Sequence, residues 1–350
     1  MPEPRAGTLV SEVRIGILLV NLGTPDAPQP AEVRRYLREF LGDPRVLDMP
    51  ALARWLLLHL VILPFRPRSS AEAYAKIWTP RGSPLLTNGL DLRDAVTREL
   101  GSDYAVVLGM RYGRPSLREA AEQLARADVA RILALPLFPQ YSEAATGSAV
   151  ARLREELARV DSPPIEVLPP FYAEPRFVAA VAHVARPRLA GFQPDHVLIS
   201  YHGLPERQVR GADASGSHCL ARPDCCDAIG VANRSCYRAH CFATTRAVAG
   251  ALGLAPEKHS TAFQSRLGRT PWIRPTTDEV LPELAARGVR RLAVLCPAFV
   301  ADCLETLEEI GIRARATWES LGGEAFELIP CLNADPVWAR AVADWMRERA

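Results

Sequence analysis

The amino-acid sequence predicts an α/β protein that consists of two similar, doubly wound (Rossmann-like) domains with parallel sheets. Short apolar runs alternate with helical runs along the chain, which is typical of parallel sheets. The second half also repeats the first, because Val289–Phe299 echoes Val129–Phe138 and Arg266–Pro271 echoes Arg111–Pro115. We therefore expect a ligand site in the interdomain cleft, where the carboxyl ends of both sheets meet.

The length of 350 residues suits two domains better than one hydrophobic core. We predict an N-terminal domain at residues 1–165, a C-terminal domain at 166–335 and a closing helix at 336–350. Two segments lie outside the repeat, an apolar lip segment at about 48–80 and a cysteine segment at 219–241. Segments added to a duplicated scaffold often carry the specific function.

The predicted strands are short apolar runs that stop at glycine, proline or a polar loop. The first is RIGILLV, which Asn21–Pro25 ends. The strands are Arg14–Val20, Tyr104–Leu108, Arg131–Leu135, Ile165–Leu168, His196–Ile199, a strand that ends at Cys296, and Ala325–Pro330. Helical periodicity predicts helices at Pro30–Leu41, Ser116–Arg126, Gly147–Val160, Asp278–Arg287 and Pro336–Arg349.

The composition excludes some classes of function. Hydrophobic residues make up 48% and charged residues 23% of the chain, as in ordinary globular proteins, and the net charge of +2 gives no reason to expect nucleic-acid binding. Met1–Glu12 lacks the layout of a signal peptide, so we expect a cytoplasmic protein. The most apolar run, Leu52–Phe65, contains Arg54 and His59 and is too short to span a membrane. It could be a core helix, an amphipathic surface helix or the wall of an apolar pocket, and a core helix is the default interpretation.

His202 is the first candidate for chemistry. It lies in Ser200–Pro205, directly after the predicted buried strand His196–Ile199. This position puts an imidazole at the carboxyl end of a central strand, where ligands bind in open α/β sheets. The alternative is a histidine that only hydrogen-bonds a backbone carbonyl in a turn.

Three carboxylates follow the strand that ends at Cys296. Asp302, Glu305 and Glu309 are spaced to lie on one helix face, with no lysine or arginine between them. Such a row repels itself unless a proton or a cation neutralises it. Asp302 and Glu305 also suit a capping box, which is a purely structural role. A neutral imidazole that faces a carboxylate across a cleft can accept protons from a weak acid and handle a divalent cation.

The cysteine segment holds five of the eight cysteines, and a chain without an export signal is not expected to use them as disulfides. The candidates are Cys219, Cys225, Cys226, Cys236 and Cys241. Four thiolates suit either a structural zinc ion or a [2Fe–2S] cluster. We expect Cys225 or Cys226 to be left out, because adjacent side chains rarely both point inward. The segment lacks the CxxC pairs typical of zinc, but His218 and His240 keep zinc open, and a loop of free thiols is the remaining alternative.

Six sequence runs together resemble one family, the ferrochelatases, which insert ferrous iron into a porphyrin at the end of haem synthesis. The runs occur in the family's order over nearly the whole chain, which is far more specific than one run alone. They are Leu18–Pro25, Arg111–Tyr112, Phe138–Ser142 with Thr146–Ser148, Ser200–Pro205, Phe263–Arg266 with Pro271–Trp272 and Thr277–Glu279, and Cys303–Leu307. The Cys303–Ile310 run is most similar to enzymes of Gram-negative bacteria.

The resemblance implies a porphyrin substrate, Fe²⁺ as the metal that is inserted, and haem as the product. It implies that His202 and Glu305 are the catalytic and metal-handling pair, with Glu309 as a further metal-handling residue. One of the two accepts the pyrrole protons and the other helps to deliver iron, and neither the residues nor the resemblance decides which; we prefer His202 as the proton acceptor. The positions that match the porphyrin pocket or its back wall are Leu22, Arg111, Tyr112 and Trp272.

The resemblance also bears on the two segments outside the repeat. The segment at about 48–80 matches the family's apolar lip, which covers the porphyrin and can rest on a membrane, so peripheral contact with the inner membrane is implied. Some bacterial members are thought to carry a [2Fe–2S] cluster on an internal cysteine segment. This favours an iron–sulfur cluster over structural zinc here.

Two alternatives to a protoporphyrin IX ferrochelatase, a lyase, stay open. Within the chelatases, coproporphyrin III could be the substrate or cobalt the metal. Outside them, the chain could be a non-catalytic tetrapyrrole-binding or metal-binding protein, or an iron–sulfur sensor on the same scaffold. The presence of both His202 and Glu305 argues against this second class. The sequence does not indicate an oligomeric state.

Overall fold

A computed structural model describes residues 14–266, 268 and 270–350, and two four-stranded parallel sheets form its centre. Met1–Glu12, Leu267 and Arg269, which belong to predictions made above, lie outside these residues. The strands are β1 (Arg14–Thr24), β2 (Tyr104–Gly113), β3 (Val129–Pro136), β4 (Ile165–Val167), β5 (His196–His202), β6 (His259–Gln264), β7 (Arg291–Leu295) and β8 (Ala325–Leu328).

Helices connect the strands and cover the sheets. The α-helices are α1 (Pro30–Gly42), α2 (Ala51–Leu56), α3 (Leu63–Ile77), α4 (Pro84–Leu100), α5 (Leu117–Arg126), α6 (Ser148–Leu157), α7 (Pro175–Phe192), α8 (Glu206–Gly211), α9 (Tyr237–Leu252), α10 (Thr277–Ala286), α11 (Arg315–Ser320) and α12 (Pro336–Arg347). Wider π-helical segments lie at Leu57–Ile62, Glu143–Gly147 and Glu305–Ala314, and a short 3₁₀ turn at Pro256–Lys258.

Both sheets have the same strand order. It is β2-β1-β3-β4 in the first sheet and β6-β5-β7-β8 in the second, and the neighbouring strands are parallel. Each strand of the first sheet therefore has a counterpart in the second, and β1 corresponds to β5. The predicted α/β fold with two similar parallel sheets is confirmed.

The loops after β2 and β6 correct the predicted alignment of the repeat. The Met110 N–H donates to the Pro115 carbonyl at 2.6 Å, and the Phe263 N–H donates to the Pro275 carbonyl at 2.9 Å. The counterpart of Pro115 is therefore Pro275 and not Pro271. The second half has a longer loop at this point, which the match of arginine and proline letters in the sequence does not reveal.

The helices that follow these two loops start in the same way. Ser116 and Glu119 form a capping box at α5, and Thr276 and Glu279 form one at α10. Each box satisfies two backbone N–H groups that the first helical turn leaves without partners. The shared device supports the corrected alignment.

Three strands extend beyond their predicted ends and hold candidate site residues. Strand β1 continues to Thr24, β2 to Gly113 and β5 to His202, because Gly23 still pairs with Tyr112 and His202 still pairs with Gln264. His202 is thus the last residue of a central strand and not a loop residue. A side chain on a strand is held more rigidly than one on a free loop.

A continuous hydrophobic core joins the two halves of the chain. It contains Leu19 and Leu135 of the first sheet and Ile199 and Leu295 of the second, all of them buried. Trp338 of α12 is fully buried in the same core, and α12 packs against α4 of the first half and α7 of the second. The last helix of the chain therefore contributes to fixing the two sheets relative to each other.

The run Leu52–Phe65 lies at the surface, so its default interpretation as a core helix is wrong. Leu52, Leu60 and Phe65 expose 70%, 60% and 74% of their surface. Together with Trp55, Leu56 and Val61 they form an exposed apolar surface on α2, the following π-helical segment and the start of α3, which we call the apolar lip. In the described part of the chain, no helix is long and apolar enough to cross a membrane.

Gly23 gives a direct test of how tightly β1 and β2 approach at their carboxyl ends. Gly23 has a φ of +118°, and a Cβ atom there would lie 1.7 Å from the Tyr112 carbonyl oxygen. Gly82 has a similar φ of +115° but no heavy atom within 4 Å of the same position. We expect Gly23→Ala to lower the free energy of unfolding by more than about 3 kcal/mol, and Gly82→Ala by about 1 kcal/mol. Urea unfolding of both variants measures the difference, and equal losses would contradict the close approach.

Candidate active site

The backbone of the residue that follows His202 orients its imidazole. Its Nδ1 lies 2.6 Å from the Gly203 carbonyl oxygen, and the side chain is half-buried. A carbonyl oxygen can only accept, so Nδ1 must carry the proton of the neutral imidazole. The lone pair therefore resides on Nε2, and the backbone of the next residue fixes this tautomer.

Trp272 packs beside His202. The two ring centroids are 6.4 Å apart. A Cβ atom at Gly203 would lie 3.1 Å from the indole ring and 2.8 Å from the Gln264 carbonyl oxygen, so only glycine lets the indole approach this closely. The indole N–H of Trp272 is buried and meets no acceptor among the residues that the structure describes. Trp272 thus forms a wall next to the imidazole.

Glu305 is the first residue of the π-helical segment Glu305–Ala314, where the sequence predicts an ordinary helix. This segment packs against α3 of the first half. Burial and then the charge of nearby Glu305 raise the pKa of the Tyr74 hydroxyl well above its ordinary value. Burial, Tyr74 and then Glu305 do the same to the pKa of Tyr36. The carboxylate of Glu305 therefore faces side chains of the N-terminal half.

Gln264 links the His202 strand to the Glu305 segment. It is the β6 residue paired with His202 in the sheet, and its side chain is buried. Its Oε1 accepts from the Ser200 hydroxyl at 2.7 Å, and its Nε2 donates to the Glu305 carbonyl at 2.8 Å. One amide side chain thus fixes the spacing between the end of β5 and the start of the carboxylate segment.

The carboxylate row is shorter than the sequence predicts. Asp302 does not form a capping box with Glu305; its carboxylate accepts from Asn333 Nδ2 at 2.7 Å and from Thr306 Oγ1 at 3.1 Å. Glu309 accepts from the Ser265 N–H at 2.8 Å. The row on the helical segment therefore consists of Glu305 and Glu309, because Asp302 lies before the segment begins. Glu309 is hydrogen-bonded as well, since it also accepts from the Ser265 hydroxyl and from Gln264 Nε2.

Glu308 is a further carboxylate on this segment and has a different environment. Its side chain is 4% exposed and lies 3.2 Å from Lys76 Nζ and 2.8 Å from Arg313 Nε. Lys76 belongs to α3, so this ion pair ties the helix that continues from the apolar lip to the C-terminal half. Burying a carboxylate is tolerable only with such partners.

Arg111 and Tyr112, at the end of β2, are joined to Asp43. The Arg111 guanidinium donates to Asp43 Oδ2 at 2.6 Å and to Ser148 Oγ at 2.7 Å, and the Tyr112 hydroxyl donates to Asp43 Oδ2 at 2.9 Å. Burial alone would raise the pKa of Asp43, but hydrogen bonds from Ser148, the Arg45 N–H and Tyr112, together with the Arg111 charge, hold it below its ordinary value. Tyr112 is fully buried, whereas Leu22, next to the end of β1, is half-buried.

The sequence places this chain among known proteins. A profile of the ferrochelatase family matches residues 14–350. The chain belongs to the ferrochelatase family. Similar relatives include the ferrochelatase of Coxiella burnetii (strain CbuK_Q154), which is 49% identical over 330 residues that cover 94% of this chain and 92% of the relative. The ferrochelatase of Legionella pneumophila (strain Lens) is 47% identical over 338 residues that cover 96% of this chain and 100% of the relative. Both organisms are Gram-negative bacteria, as the resemblance implies.

A solved structure is also similar. The sirohydrochlorin chelatase SirB from Bacillus subtilis subspecies spizizenii, solved in complex with cobalt, matches with a TM-score of 0.53 and 12% identity. The match covers 97% of this chain and 96% of that one. At this identity the similarity bears on the fold alone, and it agrees with the two parallel sheets.

The cysteine segment of this ferrochelatase-family chain buries four thiols, those of Cys219, Cys225, Cys226 and Cys236. Cys225 Sγ lies 3.7 Å from Cys226 Sγ, and the nearby Cys236 thiol, together with burial, raises the pKa of Cys226. Cys241 is also buried, and burial raises the pKa of its thiol, which lies near both Tyr237 and Cys226. The thiols of Cys225 and Cys226 are both buried and in contact, so the expectation that one of them points away is wrong.

The two histidines of the segment are occupied by the backbone. His218 Nε2 lies 3.0 Å from the Cys225 carbonyl. His240 Nδ1 accepts from the Tyr141 N–H at 3.1 Å, and its Nε2 donates to the Arg234 carbonyl at 2.8 Å. Both nitrogens of His240 are thus used, which removes it as a zinc ligand. Within the described residues, no three His, Cys, Asp or Glu side chains are already set out as a metal site, so the thiols are close together without forming a finished coordination shell.

Replacing Gln264 tests the link between the two parts of the site. We expect Gln264→Leu to lower the free energy of unfolding by about 3 kcal/mol, because it leaves the Ser200 hydroxyl and the Glu305 carbonyl without their partner. Gln123, an exposed glutamine on α5, provides the control, and Gln123→Leu should change stability by less than about 0.5 kcal/mol. Urea unfolding compares the two variants. Equal stability of Gln264→Leu and the wild type would show that these two hydrogen bonds do not contribute to the free energy of unfolding.

Proposed function

We propose that this protein is a ferrochelatase, a lyase that inserts Fe²⁺ into protoporphyrin IX and releases protohaem. The observation that carries the proposal is that a fixed imidazole acceptor and a carboxylate both follow the carboxyl ends of strands of the second sheet, and that the carboxylate lies near side chains of the first half. His202 ends β5, Glu305 faces Tyr36 and Tyr74 of the first half, and Gln264 spaces the two. Family membership supports the same assignment.

The reaction removes two protons from the porphyrin for each Fe²⁺ that enters. A free-base porphyrin is planar, and its pyrrole nitrogens point at one another. A pocket that fits a bent ring would expose a nitrogen lone pair to the metal and lower the barrier by binding the distorted ring more tightly. The unprotonated Nε2 of His202 suits the first proton acceptance. Because Nδ1–H is already donated to Gly203, the imidazolium that forms stays hydrogen-bonded.

The carboxylates would serve the metal and the released protons. In our proposal, Glu305 faces the reacting nitrogens from the side opposite His202, and Glu309 lies behind it as a step for iron inward or protons outward. Hard oxygen donors suit Fe²⁺ in transit, and the absence of further ligands in such a row keeps binding weak enough for release. Glu308 has no part in this path, because Lys76 and Arg313 already neutralise it.

The remaining pocket residues are given distinct tasks in this proposal. Trp272 would lie along the macrocycle beside His202, and Leu22 would contact its apolar surface. Arg111 and Tyr112 form a rigid back wall, because Asp43 already holds both of them. The apolar lip would cover the porphyrin and rest on the inner membrane surface, since its exposed side chains suit an apolar product that leaves into a lipid phase.

Replacement of His202 tests the reaction and the role together. We expect His202→Ala to lower the rate of iron insertion by about 10²- to 10⁴-fold, because a positioned general base contributes that much. The exposed His183 on α7 supplies a matched control, and His183→Ala should keep the wild-type rate. The assay mixes anaerobic protein and Fe²⁺ with protoporphyrin IX or coproporphyrin III and follows metalloporphyrin absorbance. A wild-type protein that forms no metalloporphyrin would refute the enzyme assignment. Faster metal insertion into coproporphyrin III than into protoporphyrin IX would show that coproporphyrin III is the substrate.

We also propose that the cysteine segment holds a [2Fe–2S] cluster. The residues fit such a group, because four thiols are buried in one short segment, two of their sulfur atoms are 3.7 Å apart, and an arginine nitrogen, Arg238 Nη1, reaches one of these two at 3.1 Å. Cys219, Cys225, Cys226 and Cys236 would hold it, and a bound cluster supplies one-electron redox chemistry. Structural zinc is the weaker alternative, because His240 is used elsewhere and the thiols have no CxxC spacing.

Single cysteine replacements distinguish the ligands from their neighbours. We expect Cys236→Ala to abolish binding of iron and inorganic sulfide, because this buried thiol is one of the four proposed ligands. Cys241→Ala should retain the cluster, and the distant Cys331→Ala controls for loss of any buried thiol. Metal and sulfide analysis and visible spectra after anaerobic purification measure the outcome. Zinc without sulfide in the wild type, or loss of the cluster in Cys241→Ala alone, contradicts the assignment.

A further inference from the structure

Arg238 lies between the four thiols and the loop that carries Trp272. Its Nη1 donates to Cys226 Sγ at 3.1 Å and lies 3.9 Å from Cys225 Sγ. On the other side, its Nε and Nη2 donate to the Arg274 carbonyl at 3.4 and 3.3 Å. The guanidinium carbon lies 4.7 Å from the centre of the Phe242 ring, so the aromatic face holds the group in place.

The other arginines near the segment bind different groups. Arg246 Nη1 donates to the Cys226 carbonyl at 3.1 Å and not to its sulfur. Arg222 forms an exposed ion pair with Asp224. Arg238 is therefore the arginine whose charge reaches the sulfur atoms in the described part of the chain.

A short chain of backbone contacts continues from Arg238 to the His202 loop. Arg274 comes directly after Ile273, whose N–H donates to the Leu204 carbonyl at 3.0 Å. Trp272 in turn forms a β-bridge with Pro205. The loop that accepts the Arg238 hydrogen bonds thus also holds the indole beside His202.

We infer that Arg238 is a positioning residue that sets the reduction potential of the cysteine-bound cluster and couples the cluster to the His202 loop. The inference rests on the cluster proposed above. Reduction takes one electron from a one-electron donor and makes the site more negative by one charge. A cationic N–H donor to a ligand sulfur stabilises that reduced state and raises the potential.

The coupling to the porphyrin site follows from the shared guanidinium. In the reduced state the sulfur atoms attract Arg238 more strongly, so its hydrogen bonds to the Arg274 carbonyl weaken. The Trp272 loop is then held less firmly, and porphyrin affinity differs between the oxidised and reduced protein. In the protein without Arg238 this difference disappears.

The test uses the full-length, anaerobically purified protein and three variants. Arg238→Gln removes the charge, Arg238→Lys keeps the charge but loses the planar fork, and Arg222→Gln controls for loss of an arginine from the same segment. Two quantities are measured, the midpoint potential by dithionite titration of the visible spectrum and the dissociation constant of protoporphyrin IX in each redox state. Iron and sulfide content is measured first for every sample.

We expect Arg238→Gln to lower the midpoint potential of the cluster by about 59 mV. For a one-electron couple this corresponds to a shift of about tenfold towards the oxidised cluster. Arg238→Lys should lie between Arg238→Gln and the wild type, and Arg222→Gln should match the wild type. The wild type should bind porphyrin differently in its two redox states, and Arg238→Gln should not. If Arg238→Gln fails to assemble a cluster, the Arg238→Lys potential decides.

Two results overturn the inference in distinguishable ways. If the wild type contains the cluster but both Arg238 variants have the wild-type midpoint potential, the role of Arg238 is refuted and the cluster assignment is not affected. A wild-type porphyrin affinity that is the same in both redox states refutes the coupling. A wild type that contains no iron and sulfide refutes the cluster proposal itself, and this inference falls with it.

Discussion

The candidate site depends on the hydrogen bonds of one buried amide, that of Gln264. A buried amide has two donors and an acceptor to satisfy, and each unsatisfied group costs about 1–3 kcal/mol. Here the Ser200 hydroxyl meets the oxygen and the Glu305 carbonyl meets the nitrogen, so the strand and the carboxylate segment can be close only at one spacing. The Gln264 amide therefore ties the Glu305 backbone to Ser200 on the strand that ends at His202.

The π-helical segment Glu305–Ala314 places Glu305 and Glu308 in different environments, although they are only three residues apart. Glu308 is buried, and Lys76 and Arg313 neutralise its charge. The ion pair with Lys76 connects α3, the helix that continues from the apolar lip, to the C-terminal half. Glu305 instead faces the Tyr36 and Tyr74 hydroxyls, whose raised pKa values keep them protonated. A carboxylate beside neutral hydroxyls can still attract a cation, whereas one that two cations already bind cannot.

The sequence predicts seven of the eight strands that the structure describes and their duplication, because apolar strands and their stop signals are local in the chain. It misses β6, which carries Gln264, and it ends β5 before His202. It does not predict helices α4, α7 and α9; α7, for example, contains Pro187, which usually interrupts a helical pattern. It also misses Gln264, Asp43 and Lys76, whose partners lie far away in sequence. The Asp302 capping box fails for the same reason, because Asn333 competes for that carboxylate from a distant loop.

The cysteine segment shows how far a local rule can mislead. Adjacent side chains on a regular strand point to opposite faces, and this rule would exclude Cys225 or Cys226. The two residues lie instead in an irregular loop, where Cys225 N–H bonds to the Arg222 carbonyl and Asn233 holds the Cys225 carbonyl at 2.9 Å. These contacts turn the backbone so that the two sulfur atoms come together. Asn233 and Arg238 therefore contact this group of cysteines directly, and neither can be inferred from the cysteine spacing.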